Sequence, residues 1–264
     1  MPGPDGANVA PSAAYDGTSV EALRTELRVP ALHTFAVAPS TMDLAHVAAG
    51  EGAAAGTTFV ADVQTAGRGR NGRRWVSDSG AGVWATVVER PSDVAALPVL
   101  SLRVGLALAA GLESLGARPI ALKWPNDLLL DGRKLAGILV EARWREGLPE
   151  WVAVGVGVNR VTPAEMPEAT GLGAGVRRVD ILAVVVAAAR GAAARGGVLG
   201  SGELAEFERR DAVRGRAVIA PVAGRAAGVS VTGGLLVRTA AGPVVEIPTA
   251  SVQYADEVRA DRPG

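Results

Sequence analysis

The chain has no cysteine. That excludes disulfide bridges, thiolate metal centres and a cysteine nucleophile, and it is compatible with either redox compartment. Net charge is missing as well: 27 basic side chains balance 27 acidic ones, so no overall field draws the protein to nucleic acid or anionic lipid. Any anion site has to be local. Aromatic residues make up only 4%, which leaves few platforms for stacking nucleobases. Long uninterrupted apolar runs are absent too. The most apolar windows, 98–115 and 181–199, are broken by Arg103 and by Arg190 and Arg195, and the first residues lack the basic-then-apolar pattern of a signal peptide. These absences read as a cytoplasmic protein with no membrane partner.

What is present is a sizeable core and one unusual loop. With 264 residues, 48% of them hydrophobic, the chain can hold one large domain, or one and a smaller second. The loop lies in ADVQTAGRGRNGRRW, residues 61–75, directly after an apolar run that reads as a buried strand. Arg68, Arg70, Arg73 and Arg74 alternate there with Gly67, Gly69 and Gly72. Glycine lets backbone approach a ligand closely. Clustered guanidiniums without neighbouring carboxylates repel one another unless an anion sits among them. Taken alone, such a run is as readily a solvated basic loop.

The remaining chain supplies context. Residues 1–18 are rich in Gly, Pro, Ala and Ser and read as a disordered tail, with a short helix at 20–27. Ser40-Thr-Met-Asp43 follows a proline and precedes LAHVAA, so Ser40 reads first as a helix cap, at a helix start that also offers free N–H groups. Strands are expected at 57–63, 82–89, 120–124, 135–142 and 151–158, and helices at 98–115, 179–195 and 202–210. After Arg214 five short segments separated by glycine, at 217–221, 225–231, 235–239, 244–248 and 251–254, suggest a small SH3-like β-barrel.

Polar residues planted at strand ends carry the chemistry. Lys123-Trp-Pro-Asn-Asp127 closes a buried strand with a cation, an amide and a carboxylate, and such an end projects into a cleft. Lys134 opens the apolar stretch RKLAGILVE, and VGVGVN has small residues where a ligand comes close and finishes on Asn159. Individually, Lys134 is more readily a surface charge, Asn159 a strand-end cap and Trp124 core.

In combination, ADVQTAGRGRNGRRW, KWPNDLLL, RKLAGILVE and VGVGVN, in that order and preceded by STM, resemble the biotin protein ligases (biotin–[acetyl-CoA-carboxylase] ligases) over residues 32–258. The resemblance implies an α+β fold, an α/β-type mixed sheet packed against helices, with a small C-terminal SH3-like β-barrel domain. It divides the chain into a tail (1–30), a catalytic domain (31–212), the SH3-like domain (213–258) and a second tail (259–264). It also implies the reaction. Biotin and ATP give biotinyl-5′-AMP and pyrophosphate, and the biotinyl group passes to a lysine of a biotin carboxyl carrier domain of an acyl-CoA carboxylase. Carried over residue by residue, Ser40, Thr41, Met42, Gln64, Arg68, Gly69, Arg70, Lys134 and Gly137 are the biotin positions. Arg70, Trp75, Lys123, Asn126, Asp127 and Asn159 are the nucleotide positions. Lys134, Arg68 and Arg70 are the catalytic candidates, because two anions must meet. At ~4 Å the repulsion between carboxylate and α-phosphate is on the order of 4 kcal/mol at an effective dielectric of 20. Mg²⁺ is expected to come with the triphosphate, near Asp127, without a dedicated protein cage.

Two positions depart from the family's commonest pattern: Met42 stands where asparagine is frequent and Asn71 where arginine or histidine is. About thirty residues precede the catalytic region, too few for a winged helix-turn-helix, so a monofunctional ligase without nucleic acid as partner is expected. A sheet edge can pair with the carrier or with a second subunit, which leaves a homodimer open. The rival readings are a lipoate–protein ligase of related fold, and a nucleic-acid-binding module built on the Gly/Arg loop.

Overall fold

The computed structural model describes residues 9–248 and 252–256. In chain order the elements are β1 (Ala14–Tyr15), β2 (Thr18–Ser19), α1 (Val20–Leu27), β3 (Leu32–Ala38), α2 (Thr41–Gly50), β4 (Thr58–Gln64) and β5 (Gly82–Glu89). They continue with α3 (Leu100–Ser114), β6 (Ile120–Lys123), β7 (Asp127–Leu130), β8 (Arg133–Arg145), β9 (Leu148–Asn159), α4 (Arg178–Ala193) and α5 (Ser201–Arg210). The last strands are β10 (Ala217–Ala220), β11 (Gly224–Val229), β12 (Leu235–Arg238), β13 (Val244–Ile247) and β14 (Gln253–Tyr254).

A seven-stranded sheet of order β3-β4-β5-β9-β8-β7-β6 organises the chain. Only the β3–β4 pair is parallel; the other neighbours run antiparallel. The hairpin from β7 to β8 turns at Asp131 and Gly132, both at positive φ, the geometry of a two-residue primed turn. Alternation along β9 sorts the two faces. Val152, Val154, Val156 and Val158 point into a large core shared with α3 and α4, while Trp151 and Ala153 join a smaller core under α2. Gly155 and Gly157 continue that second face, where they leave the sheet bare.

The C-terminal strands form one five-stranded antiparallel sheet of order β13-β12-β11-β10-β14. It packs onto the main core through Val218, Leu235, Val237 and Ile247. A polar tie reaches from its β11–β12 turn: the buried Trp124 indole N–H donates to the Gly233 carbonyl at 2.9 Å. Strand positions 217–220, 235–238 and 244–247 agree with the sequence reading within a residue; the expected strand at 251–254 survives as 253–254, and residue 251 lies outside the described residues.

The expected N-terminal tail is corrected from residue 9 onward. Val9, Tyr15 and Leu23 are buried, Pro11 bridges Phe35 beside the edge strand β3, and Ser12 N–H donates to the Thr34 carbonyl at 2.6 Å. Low sequence complexity hid this, because a few anchoring side chains suffice to dock a segment with no periodicity of its own. Residues 1–8 and 257–264 lie outside the described residues.

Arg103, the cation that interrupts an apolar window, is only 4% exposed. Its guanidinium donates to Glu203 (2.9 Å) and to the carbonyls of Arg195 (3.0 Å) and Val198 (2.7 Å), tying α3 to the start of α5. Removing the cation leaves two carbonyls without their donor and the half-buried Glu203 with, among the described residues, only Arg195 (3.4 Å) and the Gly200 N–H (2.8 Å). Arg103→Met is expected to cost about 3–5 kcal/mol in urea unfolding; a loss under about 1 kcal/mol would mean that the pair is water-screened.

Candidate active site

The site is built on the bare face of the central strands, in rows set by strand register. Trp84, Gly157 and Gly137 form one row across β5, β9 and β8; Thr86, Gly155 and Leu139 form the next; Val88, Ala153 and Glu141 the third. The glycines make room for two side chains arriving from above. A Cβ at Gly157 would lie 2.5 Å from the Trp75 ring, one at Gly137 2.7 Å from it, and one at Gly155 2.6 Å from the Met42 methyl. Trp75 therefore lies flat on backbone, edge-on to Trp84 at 6.0 Å between centroids. Its Nε1 is buried without a hydrogen-bond partner.

Helix α2 and the end of β4 form one wall. Gln64 Oε1 accepts from the Thr41 backbone N–H (2.9 Å) and hydroxyl (3.2 Å), and that hydroxyl lies 2.9 Å from Thr86 Oγ1. Ser40 is buried at the N-cap position, but its side chain makes no capping hydrogen bond, which corrects its reading as a cap. Gln64 caps the helix instead, from another strand. Gly67 is needed where it stands: a Cβ would fall 2.8 Å from the Trp75 carbonyl, and the Trp75 N–H donates to the Gly67 carbonyl at 2.9 Å. Gly69 N–H donates to Arg73 O at 2.7 Å, so the loop closes as a small hairpin with Asn71 at φ 58. Asparagine reaches that left-handed region more easily than arginine does, a local reason for Asn71.

The opposite wall carries Lys134, whose Nζ pairs with Asp127 Oδ1 at 2.8 Å and sits 5.2 Å from the Trp75 ring centroid. Asn126 donates to the Ile138 carbonyl (2.8 Å), and its Oδ1 accepts from Arg70 Nη1 at 3.5 Å, the outer limit of a hydrogen bond. Asn159 is buried and donates to the Lys134 carbonyl at 3.4 Å. Lys123 stands opposite Asp127 across β6 and β7. Thr41, Met42, Gln64, Arg70, Trp75, Asn126, Asp127, Lys134, Gly137 and Asn159 are thus brought onto one face of the sheet, beside the loop and α2.

The four arginines do not behave alike, and here the sequence reading needs correcting. Arg68 has carboxylates beside it after all. Its Nη1 pairs with Asp43, and its Nε and Nη2 reach the two oxygens of Glu141 at 3.3 and 3.2 Å. Burial works against its charge, but the hydrogen bonds it donates to Glu141 and Asp43 outweigh burial and raise its pKa. Arg70 is the reverse: burial depresses its pKa and Asp127 offsets that only in part. A half-buried guanidinium in that state gains most from an arriving anion. Arg73 and Arg74 are exposed. Sequence reasoning missed Asp43, His46, Thr86 and Trp151 and gave no role to Glu141, because partners brought together by a sheet leave no spacing signal.

Residues 34–159, which hold this face, match the model of the Biotin/lipoate A/B protein ligase family. Among relatives, the chain is 38% identical over 148 residues to the bifunctional ligase/repressor BirA of Bacillus subtilis, covering 55% of this chain and 46% of that protein. It is 43% identical over 127 residues to the biotin–[acetyl-CoA-carboxylase] ligase of Mycobacterium tuberculosis, covering 44% and 45%. The chain thus spans less than half the length of these curated relatives. Among solved structures, the biotin protein ligase of Aquifex aeolicus in complex with biotin and ATP superposes with a TM-score of 0.68 at 26% identity, over 86% of this chain and 100% of that one.

The Glu141 carboxyl is drawn down to about 2 by the His46 hydrogen bond first, with Arg68 adding to it against burial. An acid whose pKa is depressed on folding stabilises the fold above its ordinary pKa and ceases to do so as pH falls through the folded value. The stability gap between wild type and Glu141→Gln should therefore be open at about pH 4.5 and close towards about 2 in urea titrations. A gap that stays open at the acid end would show that the carboxylate's charge is not what matters.

Proposed function

We propose that the chain is a biotin protein ligase: it activates biotin with ATP to biotinyl-5′-AMP and transfers the biotinyl group to a lysine of a biotin carboxyl carrier domain. The observation that carries this reading is the convergence of Gln64, Thr41, Arg70, Lys134, Asp127, Asn126 and Asn159 around Trp75 on a glycine floor. Support comes from the family domain and from the biotin and ATP named for the Aquifex aeolicus structure. The carrier follows from the acetyl-CoA-carboxylase named for the Mycobacterium tuberculosis relative. The five-stranded C-terminal sheet is read as the SH3-like module, and a cytoplasmic location without nucleic acid as partner belongs to the same proposal. No helix among the described residues is long and apolar enough to cross a membrane.

In this mechanism the Gln64–Thr41–Thr86 array meets the polar ring of biotin, and Met42 on Gly155 supplies an apolar surface. The biotin carboxylate attacks the α-phosphorus and pyrophosphate leaves. Lys134 and Arg70 stand on two sides of the meeting point and lower the repulsion between the anions and the charge of the transition state. The lysine amine of the carrier then attacks the acyl carbon, and AMP leaves. Mg²⁺ would ride on the triphosphate. Among the described residues no group of three or more His, Asp or Glu side chains is placed to hold an ion, and Asp127 offers one carboxylate already paired with Lys134. When bound, the ion supplies charge neutralisation at the phosphates.

Mixing the protein with ATP, biotin and a carrier domain and weighing the carrier should show a single biotinyl addition. An unmodified carrier, with lipoate binding in calorimetry where biotin does not, would transfer the assignment to the lipoate branch of the family. Lys134→Ala should slow single-turnover pyrophosphate release by at least about a hundredfold, and an unchanged rate would remove Lys134 from the chemistry. Arg70→Gly should still form the adenylate but let it escape and label bystander lysines; a variant forming no adenylate would contradict a retaining role.

A further inference from the structure

Behind the first arginine of the loop stands a hydrogen-bonded chain whose polarity is fixed from its far end. The Trp151 indole N–H can only donate, and it lies 2.9 Å from His46 Nδ1. Nδ1 must then accept, so a neutral His46 carries its proton on Nε2, which is 2.9 Å from Glu141 Oε2. Both oxygens of Glu141 face Arg68 in a fork, and the third guanidinium nitrogen meets Asp43. Asp43 and His46 lie three residues apart on α2, hence on one face of the helix. The helix is thereby tied to β9 through His46, to β8 through Glu141 and to the loop through Asp43 and Arg68.

With Asp43 and Glu141 ionised, two negative charges surround the one positive charge of Arg68. The cluster is net negative and has no charge left over for a substrate anion. We propose that His46 is a positioning residue. Acting through Glu141, it locks Arg68 as the anchor of the loop, so that the backbone of 67–69 is preset for the ligand while Arg70 is left to close over it. The assignment of biotin as that ligand rests on the function proposed above; the anchoring itself does not.

The test separates the two. Trypsin cleaves after arginine, and the loop offers Arg68 in its ion pairs beside the exposed Arg73 and Arg74. In the wild type, cleavage after Arg73 or Arg74 should precede cleavage after Arg68. His46→Ala should accelerate cleavage after Arg68 by about tenfold relative to the other two sites, and His46→Gln, which keeps an N–H for Glu141, should restore most of the protection. Equal cleavage ratios in all three proteins, or equal loss in the Gln and Ala variants, would overturn the inference. In steady-state assays His46→Ala should raise KM for biotin about tenfold with kcat changed less than about twofold. An unchanged KM, or a fall in kcat alone, would overturn it as well. If the wild type neither binds nor activates biotin, the proposed function fails, and the cleavage pattern still decides the anchor.

Discussion

Trp75 rests on backbone from which side chains have been removed, and this contact conditions the rest of the site. Any Cβ at 157 or 137 would enter the ring, so two neighbouring strands must both carry glycine at one register position. Such positions weaken a strand, each by roughly 0.5–1 kcal/mol relative to alanine. The large core on the opposite face offsets that cost, with Val154, Val156 and Val158 of the same strand buried there. One face of β9 holds the fold and the other is left open for chemistry. Strand alternation is what makes the two tasks independent.

On that floor the charges divide into a satisfied set and an underpaired one. Arg68 is enclosed by Asp43 and Glu141, and Lys134 is held at 2.8 Å by Asp127. Arg70, with one long contact to a neutral amide, is left poorly compensated. A loop whose arginines all lacked partners would be hard to keep near the protein in the absence of an anion. A loop whose arginines were all paired would have nothing to offer one. Dividing the roles between residues two positions apart resolves the conflict.

Most of the sheet was legible in the sequence, because a strand buried on both faces (β5), one whose valines alternate with glycines (β9) and a helix rich in Leu and Ala (α3) carry their signal locally. The cleft residues were legible as well, but only as a set: Lys134 or Asn159 alone had a plainer reading, and their order along the chain with the Gly/Arg loop is what singled them out. Glu141 was in view within RKLAGILVE without any sign of its partner. His46 and Trp151 carried no signal, since their meeting depends on α2 lying across β8 and β9. The N-terminal segment failed for a different reason. Composition argues for disorder there, whereas Tyr15 stacking on the Arg178 guanidinium at 4.4 Å is a single tertiary contact that composition cannot express.

The anchoring of the loop also sets what it costs to close it. At its near end Thr65 and Ala66 donate to the carbonyls of Ala38 and Pro39, at 3.0 and 2.8 Å. At its far end Asp62 accepts from Ser79 and from the Gly80 N–H (3.0 Å), and Arg178 reaches both Asp62 and the Gly82 carbonyl. With Arg68 pinned between them, only the stretch 70–74 lies free of these anchors, turned back on itself by Gly69 N–H to Arg73 O and Arg73 N–H to Arg70 O. Fixing about five residues costs on the order of 5–10 kcal/mol in backbone entropy, and fixing all of 65–81 would cost roughly three times as much. An anion arriving at Arg70 has only the smaller of these costs to meet. The carboxylates around Arg68 therefore shorten the segment whose order an arriving anion would have to hold.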